Sequence, residues 1–169
     1  MTTPSSARRL TCAGLALIAL ILSGCATAPA FVELPAEPAP SPYLVAEAPQ
    51  QWMERPVLWG GMILEVRNYE RHSEIEILAY PLDTRQRPML EKADHGRFIA
   101  LFPGYVESND YPEGRFLSLI GRVTGERRGA LRSAPYVWPE IDVNRLHLWP
   151  RDFRSRSKWS VGVGVGVHF

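Results

Sequence analysis

The stretch GGMILEVRNYERHSEIEILAY, residues 60–80, decides the fold of this chain. Apolar and polar residues alternate over residues 60–69 and again over residues 73–80, and the link between them is short enough for a hairpin. The pattern predicts two antiparallel strands that each turn one face toward a core. The side chains expected on the core faces are Met62, Leu64 and Val66 in the first strand and Ile75, Ile77 and Ala79 in the second.

Further strands are predicted along the rest of the chain. Residues 97–102 form a nearly continuous apolar run, which is typical of a strand covered on both faces. Residues 114–125 and 137–148 alternate, and clusters of turn-forming residues separate the segments. A last strand is predicted at 159–169, and a short helix near 89–94. Five or six strands with one short helix fit an all-β, OB-like barrel, with a β-sandwich as the alternative.

The N-terminal residues have the pattern of a bacterial lipoprotein signal. Arg8 and Arg9 precede an apolar run that is shorter than the roughly 20 residues of a membrane-spanning helix. The run ends in Leu-Ser-Gly-Cys at residues 22–25, where small residues permit cleavage and the thiol of Cys25 accepts the lipid. Residues 1–24 are therefore predicted to be a signal peptide and Cys25 the lipid attachment site. The alternative is an uncleaved anchor helix with an incidental cysteine.

Composition restricts the chemistry of the mature chain. Cleavage removes Cys12 and lipid consumes Cys25, so we expect no disulfide, thiolate metal site or cysteine nucleophile. Loss of Arg8 and Arg9 takes the formal net charge from +1 to −1. A nearly neutral chain gives no case for nucleic-acid binding, and the length fits one domain.

Residues 25–51 are rich in proline and alanine and are predicted to be a tether. At about 3.1 Å per residue, the roughly 24 residues that follow Cys25 would hold the domain up to about 75 Å from the membrane in a polyproline-like conformation. The alternative is that Phe31, Val32 and Leu34 dock onto the domain and shorten that reach. The barrel domain is predicted to span residues 52–169.

The C-terminal segment WSVGVGVGVHF, residues 159–169, places valines on one strand face and glycines on the other. Three interpretations remain open: a core strand with covered glycines, an edge strand that pairs with a second copy or an envelope partner, and a strand that contacts the membrane. Five cations precede or adjoin this strand and are either a solvated loop or a site for anionic lipid headgroups. They are Arg145, Arg151, Arg154, Arg156 and Lys158. The candidate interaction surface comprises Trp59, Val161, Val163, Val165 and Phe169.

No recognised catalytic, metal-binding or cofactor motif appears in the sequence. The four histidines have no ligand spacing, and no serine nucleophile turn or phosphate loop is present. Glu74 and Glu76 are interpreted as the solvated side of a strand. Arg97 and Arg115 each follow a glycine and are interpreted as partners of nearby acids, with anion binding as the alternative. We expect no metal, no cofactor and no enzymatic activity.

Short motifs spread over the mature chain resemble the Slp family of starvation-inducible outer-membrane lipoproteins. Besides the lipobox at Cys25, they include Trp-Gly-Gly at 59–61, Tyr-Pro-Leu-Asp at 80–83 and Leu-Trp-Pro at 148–150. Residues 104–108 depart from the family pattern. The resemblance implies an outer-membrane location in Gram-negative bacteria and a link to stress or starvation, and it supplies no catalytic residues.

The expected function is thus a non-enzymatic structural or interaction role in the cell envelope. The membrane is the first predicted partner, through the N-terminal lipid, and a homo-oligomer or an envelope partner is the second, through the C-terminal strand. One alternative is a binder of oligosaccharide or lipid headgroups through the barrel face. A hydrolase with an unrecognised site is the weaker alternative.

Overall fold

The computed structural model describes residues 28–151, which form five strands preceded by one short helix. Helix α1 covers Pro42–Glu47, and one 3-10 turn follows it at Pro49–Gln51. The strands are β1 (Pro56–Asn68), β2 (His72–Ala79), β3 (Arg97–Pro103), β4 (Phe116–Leu131) and β5 (Ala134–Leu148). They close into a barrel in the order β1-β2-β3-β5-β4. The predicted barrel is confirmed over the sandwich, and the strand predicted at 159–169 lies outside the described residues.

The barrel closes through its shortest pairing. β3 and β5 run parallel over only three residue pairs, from Ile99 with Glu140 to Leu101 with Asp142, whereas every other pairing is antiparallel. β4 and β5 form one long hairpin that continues to Leu131 and Ala134. Both strands are longer than predicted. The end of the hairpin, residues 126–139, forms an arm that covers the outer face of β2.

Alternating apolar residues fill the barrel interior, as the sequence pattern predicts. The core faces predicted for β2 are confirmed, and the apolar run of β3 buries Phe98, Ile99 and Ala100. Ile99 alternates with core residues and so lies on the outer face, yet it is only 1% exposed. This agrees with the prediction that β3 is covered on both sides.

The core face of β1 differs from the prediction. Ile63, rather than Met62 or Leu64, is buried in the core, together with Val57 and Trp59. The pairing with β2 shifts register between Ile63 and Glu65, and such a bulge changes which face the following residues occupy. Val66, which follows the bulge, therefore packs against the core as predicted. Before the bulge, the side chains point to the opposite faces from those predicted.

The short helix lies elsewhere than predicted. Residues 89–94 form only a turn: Pro88 pairs with Leu82 in a β-bridge and the N–H of Met89 donates to the Pro81 carbonyl at 2.8 Å, so the chain enters this segment extended. Helix α1 instead begins after Ser41, whose hydroxyl accepts from the N–H of Leu44, with Pro42 at the first helical position. A capping serine followed by proline is a recognised helix start.

Candidate functional site

Residues 31–42 form a strap that lies across the outside of the barrel and is held at two points. At its first point, the buried side chain of Gln86 binds the backbone of Phe31 from both sides. The Phe31 N–H donates to Gln86 Oε1 at 2.6 Å, and Gln86 Nε2 donates to the Phe31 carbonyl at 2.9 Å. Phe31 is only 7% exposed. Phe31 is therefore docked, as in the alternative interpretation, whereas the side chains of Val32 and Leu34 remain 90% and 51% exposed.

Gln86 is itself fixed to the barrel wall. Its carbonyl accepts a hydrogen bond of 2.5 Å from the hydroxyl of Ser118 in β4, and the same hydroxyl accepts from the indole N–H of Trp149 at 3.0 Å. Arg145 in β5 also reaches the strap, donating to the carbonyl of Glu33 at 2.9 Å. The first holding point is thus a buried polar network with every group paired, which makes the docked position specific.

The second holding point is Trp59, which the sequence placed on a contact surface. The structure buries this side chain to 4% exposure, against Phe98 in the core. Its indole N–H donates to the Pro40 carbonyl at 2.8 Å, so it holds the end of the strap from inside the molecule. Trp59 therefore does not present a free surface to a partner, because β1 turns it inward beside Val57 and Ile63.

Between the two holding points the strap arches over a cavity of about 540 Å³. The roof is the strap itself, and the floor is formed by the start of β1 and the segment after β2. The lining is mainly apolar and aromatic, with Leu34, Pro38 and Ala39 in the roof and Leu58, Trp59 and Leu82 in the floor. Its volume lies within the range of small-molecule sites.

Glycine at residue 60 is required for this side of the barrel to be covered so closely. A Cβ at Gly60 would lie 2.8 Å from the Ser118 hydroxyl and 3.0 Å from a methyl group of Leu82. It would also lie 2.6 Å from the carbonyl of Leu117. The Trp-Gly-Gly motif thus combines an inward anchor for the strap with a bare backbone that lets the covering layer approach.

A second cluster lies on the outer face of β2, where Glu74 and Glu76 were predicted to be solvated. That prediction is wrong: the two residues are 2% and 8% exposed. The β4–β5 arm covers them, and Arg127 donates from both terminal nitrogens to the two oxygens of Glu74 at 2.6 Å each. Glu76 accepts from Arg67 at 2.7 Å, Arg97 at 3.0 Å and the indole of Trp138 at 3.1 Å.

The arginines set the protonation state of this cluster. Burial alone would raise the pKa of Glu74, but hydrogen bonds from Arg127 and His72 outweigh it and hold the pKa below its ordinary value. The bonds to Glu74 in turn raise the pKa of Arg127. The predicted pairing of Arg97 with a nearby acid is confirmed, whereas Arg115 donates to the Trp149 carbonyl. Arg67, Arg97, Arg127 and Arg128 also line a smaller cavity of about 350 Å³.

The remaining predicted site residues are not brought together within the described part of the chain. Cys25, Val161, Val163, Val165 and Phe169 all lie outside residues 28–151. Within those residues, no three histidine, cysteine or acidic side chains are placed to hold a metal ion. The same part of the chain has no helix that is long and apolar enough to cross a membrane.

Gln86 is the functional residue that the sequence did not identify. It follows the turn at residues 83–85 and adopts a positive φ of 65°, a conformation for which glutamine gives no signal. Asp83 builds this turn by accepting from the N–H groups of Arg85 and Arg87 at 2.8 and 2.9 Å. An Asp followed by such a turn can be recognised in the sequence. It does not reveal that Gln86 bonds a residue 55 positions earlier.

Comparison with known proteins places these features in a family. The sequence model described as "Outer membrane lipoprotein Slp family" matches residues 22–163. An uncharacterized lipoprotein of Escherichia coli K12, YeaY, is 31% identical over 133 residues, covering 78% of this chain and 68% of that protein. The outer membrane protein Slp of the same organism is 24% identical over 134 residues, covering 78% and 71%. An uncharacterized protein of Haemophilus influenzae is 29% identical over 91 residues, covering 53% and 49%.

Proposed function

This chain belongs to the outer membrane lipoprotein Slp family, and from that premise we propose that it is a non-enzymatic binding protein of the Gram-negative cell envelope. In this proposal residues 1–24 are removed, Cys25 carries the lipid, and the barrel presents the cavity beneath the strap to an apolar ligand. The single observation that carries the binding role is that cavity of about 540 Å³.

The lining of the cavity supports an apolar ligand over a sugar or an anion. Proline has no backbone N–H, so Pro35, Pro38 and Pro40 leave the roof poor in hydrogen-bond donors. The indole N–H of Trp59 in the floor is already bonded to Pro40, and the lining is mainly apolar although Tyr80, Thr84 and His95 also reach the cavity. Sugars and anions need donors to replace water, whereas an alkyl chain or an aromatic ring needs only apolar contact.

The buried acids support binding over catalysis. A general acid or base must exchange its proton near neutral pH, which requires a pKa close to that value. The pKa of Glu74 is instead lowered, and both of its oxygens accept from Arg127. Glu76 is surrounded by Arg67, Arg97 and Trp138. These carboxylates therefore act as fixed charges that hold the arm to β2.

A fluorescent fatty acid tests the proposed binding role directly. Purified protein should bind it saturably, and Ala36→Trp, which adds a large side chain to the roof, should weaken binding about tenfold or more because it fills the cavity. Ala134→Trp is the matched control, since it adds the same bulk to an exposed residue at the tip of the arm. Equal binding by wild type and both variants would place the ligand elsewhere, and no saturable binding would overturn the role.

The lipid anchor has its own test. Cys25→Ala should abolish metabolic labelling with a radioactive fatty acid and leave the signal peptide uncut. Retention of the label by this variant would show that the lipid is attached elsewhere.

A second candidate function is binding of lipid headgroups through the barrel face. The observation that favours it is the smaller cavity of about 350 Å³ lined by Arg67, Arg97, Arg127 and Arg128. The first three pair with buried acids, so an anion would have to compete with Glu74 and Glu76. Arg128→Gln should weaken binding of a phosphate-bearing headgroup if this site is used, and should leave fatty acid binding unchanged.

We also propose that the C-terminal strand pairs with a second copy or an envelope partner, through Val161, Val163, Val165 and Phe169. A link to stress or starvation is likewise a proposal. Deletion of residues 161–169 should change the assembly size without unfolding the barrel if the strand pairs between molecules. Failure of the truncated chain to fold would instead assign the segment to the core.

A further inference from the structure

The docked strap brings the lipid attachment site close to the barrel. A polyproline-like tether of about 24 residues after Cys25 would reach about 75 Å, but Phe31 is already bound to Gln86. Only five residues separate Cys25 from Phe31, and the six Cα–Cα steps between the two span at most about 20 Å. The barrel therefore cannot stand away from the membrane unless the strap first detaches.

The residues that follow this short link are exposed and apolar. Val32 is 90% exposed and Leu34 is 51% exposed, although their neighbours are held. Phe31 is bound by Gln86, and the backbone of Glu33 is bound by Arg145, so the strap presents the side chain of Val32 outward. Within residues 28–151, four of the six large exposed apolar side chains belong to residues 32–44.

Cations flank these apolar residues. The side chain of Arg145 is 45% exposed and lies 5.9 Å from the ring centre of Phe31. Arg151 is exposed and follows Trp149, whose indole is bonded to Ser118 beside the same holding point. The strap itself carries two acids, Glu33, which is paired with Arg145, and the exposed Glu37. Apolar side chains bordered by arginines are typical of surfaces that rest in the headgroup region of an anionic bilayer.

We infer that the barrel lies directly on the bilayer, with Val32 and Leu34 inserted at the interface and Arg145 beside the lipid phosphates. This inference rests on the lipid attachment at Cys25 and adds an orientation that anchoring alone does not require. The mouth of the strap cavity then opens close to the membrane, because Leu34 belongs both to the inserted surface and to the cavity roof.

The opposite end of the barrel supplies a control position. Val106 exchanges hydrogen bonds with Asn68 at the far end of β1, at 3.0 and 3.2 Å, and the neighbouring Tyr105 is 69% exposed. The strap is fixed near Gly60, which pairs with Ser118, and the eight residues from Gly60 to Asn68 extend about 26 Å. Tyr105 should therefore stay in water when Val32 is in the membrane.

The experiment uses the full lipidated chain with Val32→Cys or Tyr105→Cys, each labelled with an environment-sensitive fluorophore. Labelling is selective because lipid occupies Cys25 and Cys12 is removed with the signal. The protein is placed in vesicles of phosphatidylethanolamine and phosphatidylglycerol that contain a nitroxide-labelled lipid. Fluorescence at residue 32 should be quenched about twofold or more, with little change at residue 105.

The outcomes separate the orientation from the anchor. Flotation of the vesicles reports anchoring: protein that floats but shows equal quenching, or none, at the two positions overturns the inference and leaves the anchor intact. Protein that does not float overturns both. A blue shift at residue 32 without nitroxide quenching would assign the surface to a protein contact, which also overturns a membrane orientation.

Discussion

The barrel is covered on two sides, and the two coverings are held by different forces. On the β2 side, the β4–β5 arm lies over Glu74 and Glu76 and is fixed by Arg127, which bonds both oxygens of Glu74, and by the indole of Trp138, which bonds Glu76. On the β1 side, the strap is fixed at Phe31 and Pro40 and arches between them. The first covering leaves about 350 Å³ beside arginines, and the second leaves about 540 Å³ beside apolar groups.

This difference indicates which of the two coverings can open. The arm is part of a continuous hairpin, and it leaves β2 only when the paired bonds from Arg127 to buried Glu74 and the bond from Trp138 to Glu76 break together. The strap is bound by a few hydrogen bonds, so it can lift locally while the barrel stays folded. In the proposed binding role, a ligand would therefore enter and leave on the strap side, while the arm side would stay rigid.

Of the substitutions that separate the two coverings, removal of Glu74 should lower the free energy of unfolding most. Glu74→Ala leaves Arg127 without its buried partner and removes one of the two buried partners of Arg67, and such a loss costs about 3 kcal/mol of unfolding free energy. Partial exposure of Arg127 keeps the cost at the low end for a buried pair. Urea unfolding followed by circular dichroism measures it.

Glu65→Ala is the control for that measurement. Its side chain is half exposed and also pairs with Arg67, at 3.0 Å, so its removal should cost less than about 1 kcal/mol. Similar losses in the two variants would show that burial by the arm does not strengthen the cluster.

Shortening Gln86 should release the strap without unfolding the barrel. Gln86→Asn keeps a side chain that tolerates positive φ but withdraws the amide from Phe31, so two buried hydrogen bonds are lost. The free energy for opening the strap should fall by about 2 kcal/mol. Hydrogen exchange measured by mass spectrometry should then accelerate in residues 31–40, while β2 and β3 keep their protection. Equal acceleration in the strands would mean that the strap and the barrel open together.

Changing Trp59 should loosen the other end of the strap by a smaller amount. Trp59→Phe removes the hydrogen bond to Pro40 but keeps an aromatic ring against Phe98, at a cost of about 1 kcal/mol. Protease sensitivity within residues 34–42 is the measurement. Unchanged cleavage in Trp59→Phe, combined with faster cleavage in Gln86→Asn, would show that the Phe31 end alone holds the strap.

The same contrast explains what the sequence could predict. Alternation identified β2, β4 and β5, because the barrel interior is apolar and side chains alternate along a strand, and a continuous apolar run identified β3. The glycines before Arg97 and Arg115 both have positive φ, as turns that lead into strands often require. Local sequence patterns therefore predicted most of the fold.

The two coverings were not predictable in the same way, because each depends on contacts between distant residues. Glu74 looks solvated on its own strand, and its burial depends on Arg127, 53 positions later. The proline-rich segment looks like a free tether until Gln86 binds Phe31. Ser-Pro at residues 41–42 was a local signal for α1, but the surrounding prolines favoured an extended interpretation.

The smallest expected difference between the two sides is in how acidic pH changes their contribution to stability. Hydrogen bonds outweigh burial and lower the pKa of Glu74, and bonds from Arg87 and Arg85 likewise lower the pKa of Asp83 in the turn below the strap. A carboxylate with a lowered folded-state pKa contributes stability that is complete above its unfolded pKa, about 4.3 for Glu and 3.9 for Asp. That contribution is lost as the pH falls through the folded-state pKa.

Unfolding free energies should therefore rise with pH across this acidic range in the wild type, and less steeply in Glu74→Gln. Asp83→Asn should reduce the slope by less, because the Asp83 side chain is 23% exposed and that of Glu74 is 3% exposed. Urea midpoints measured at several values below about pH 5 provide the comparison. If Asp83→Asn flattened the dependence more than Glu74→Gln, the turn that carries Gln86, and not the arm, would be the main electrostatic support of the barrel.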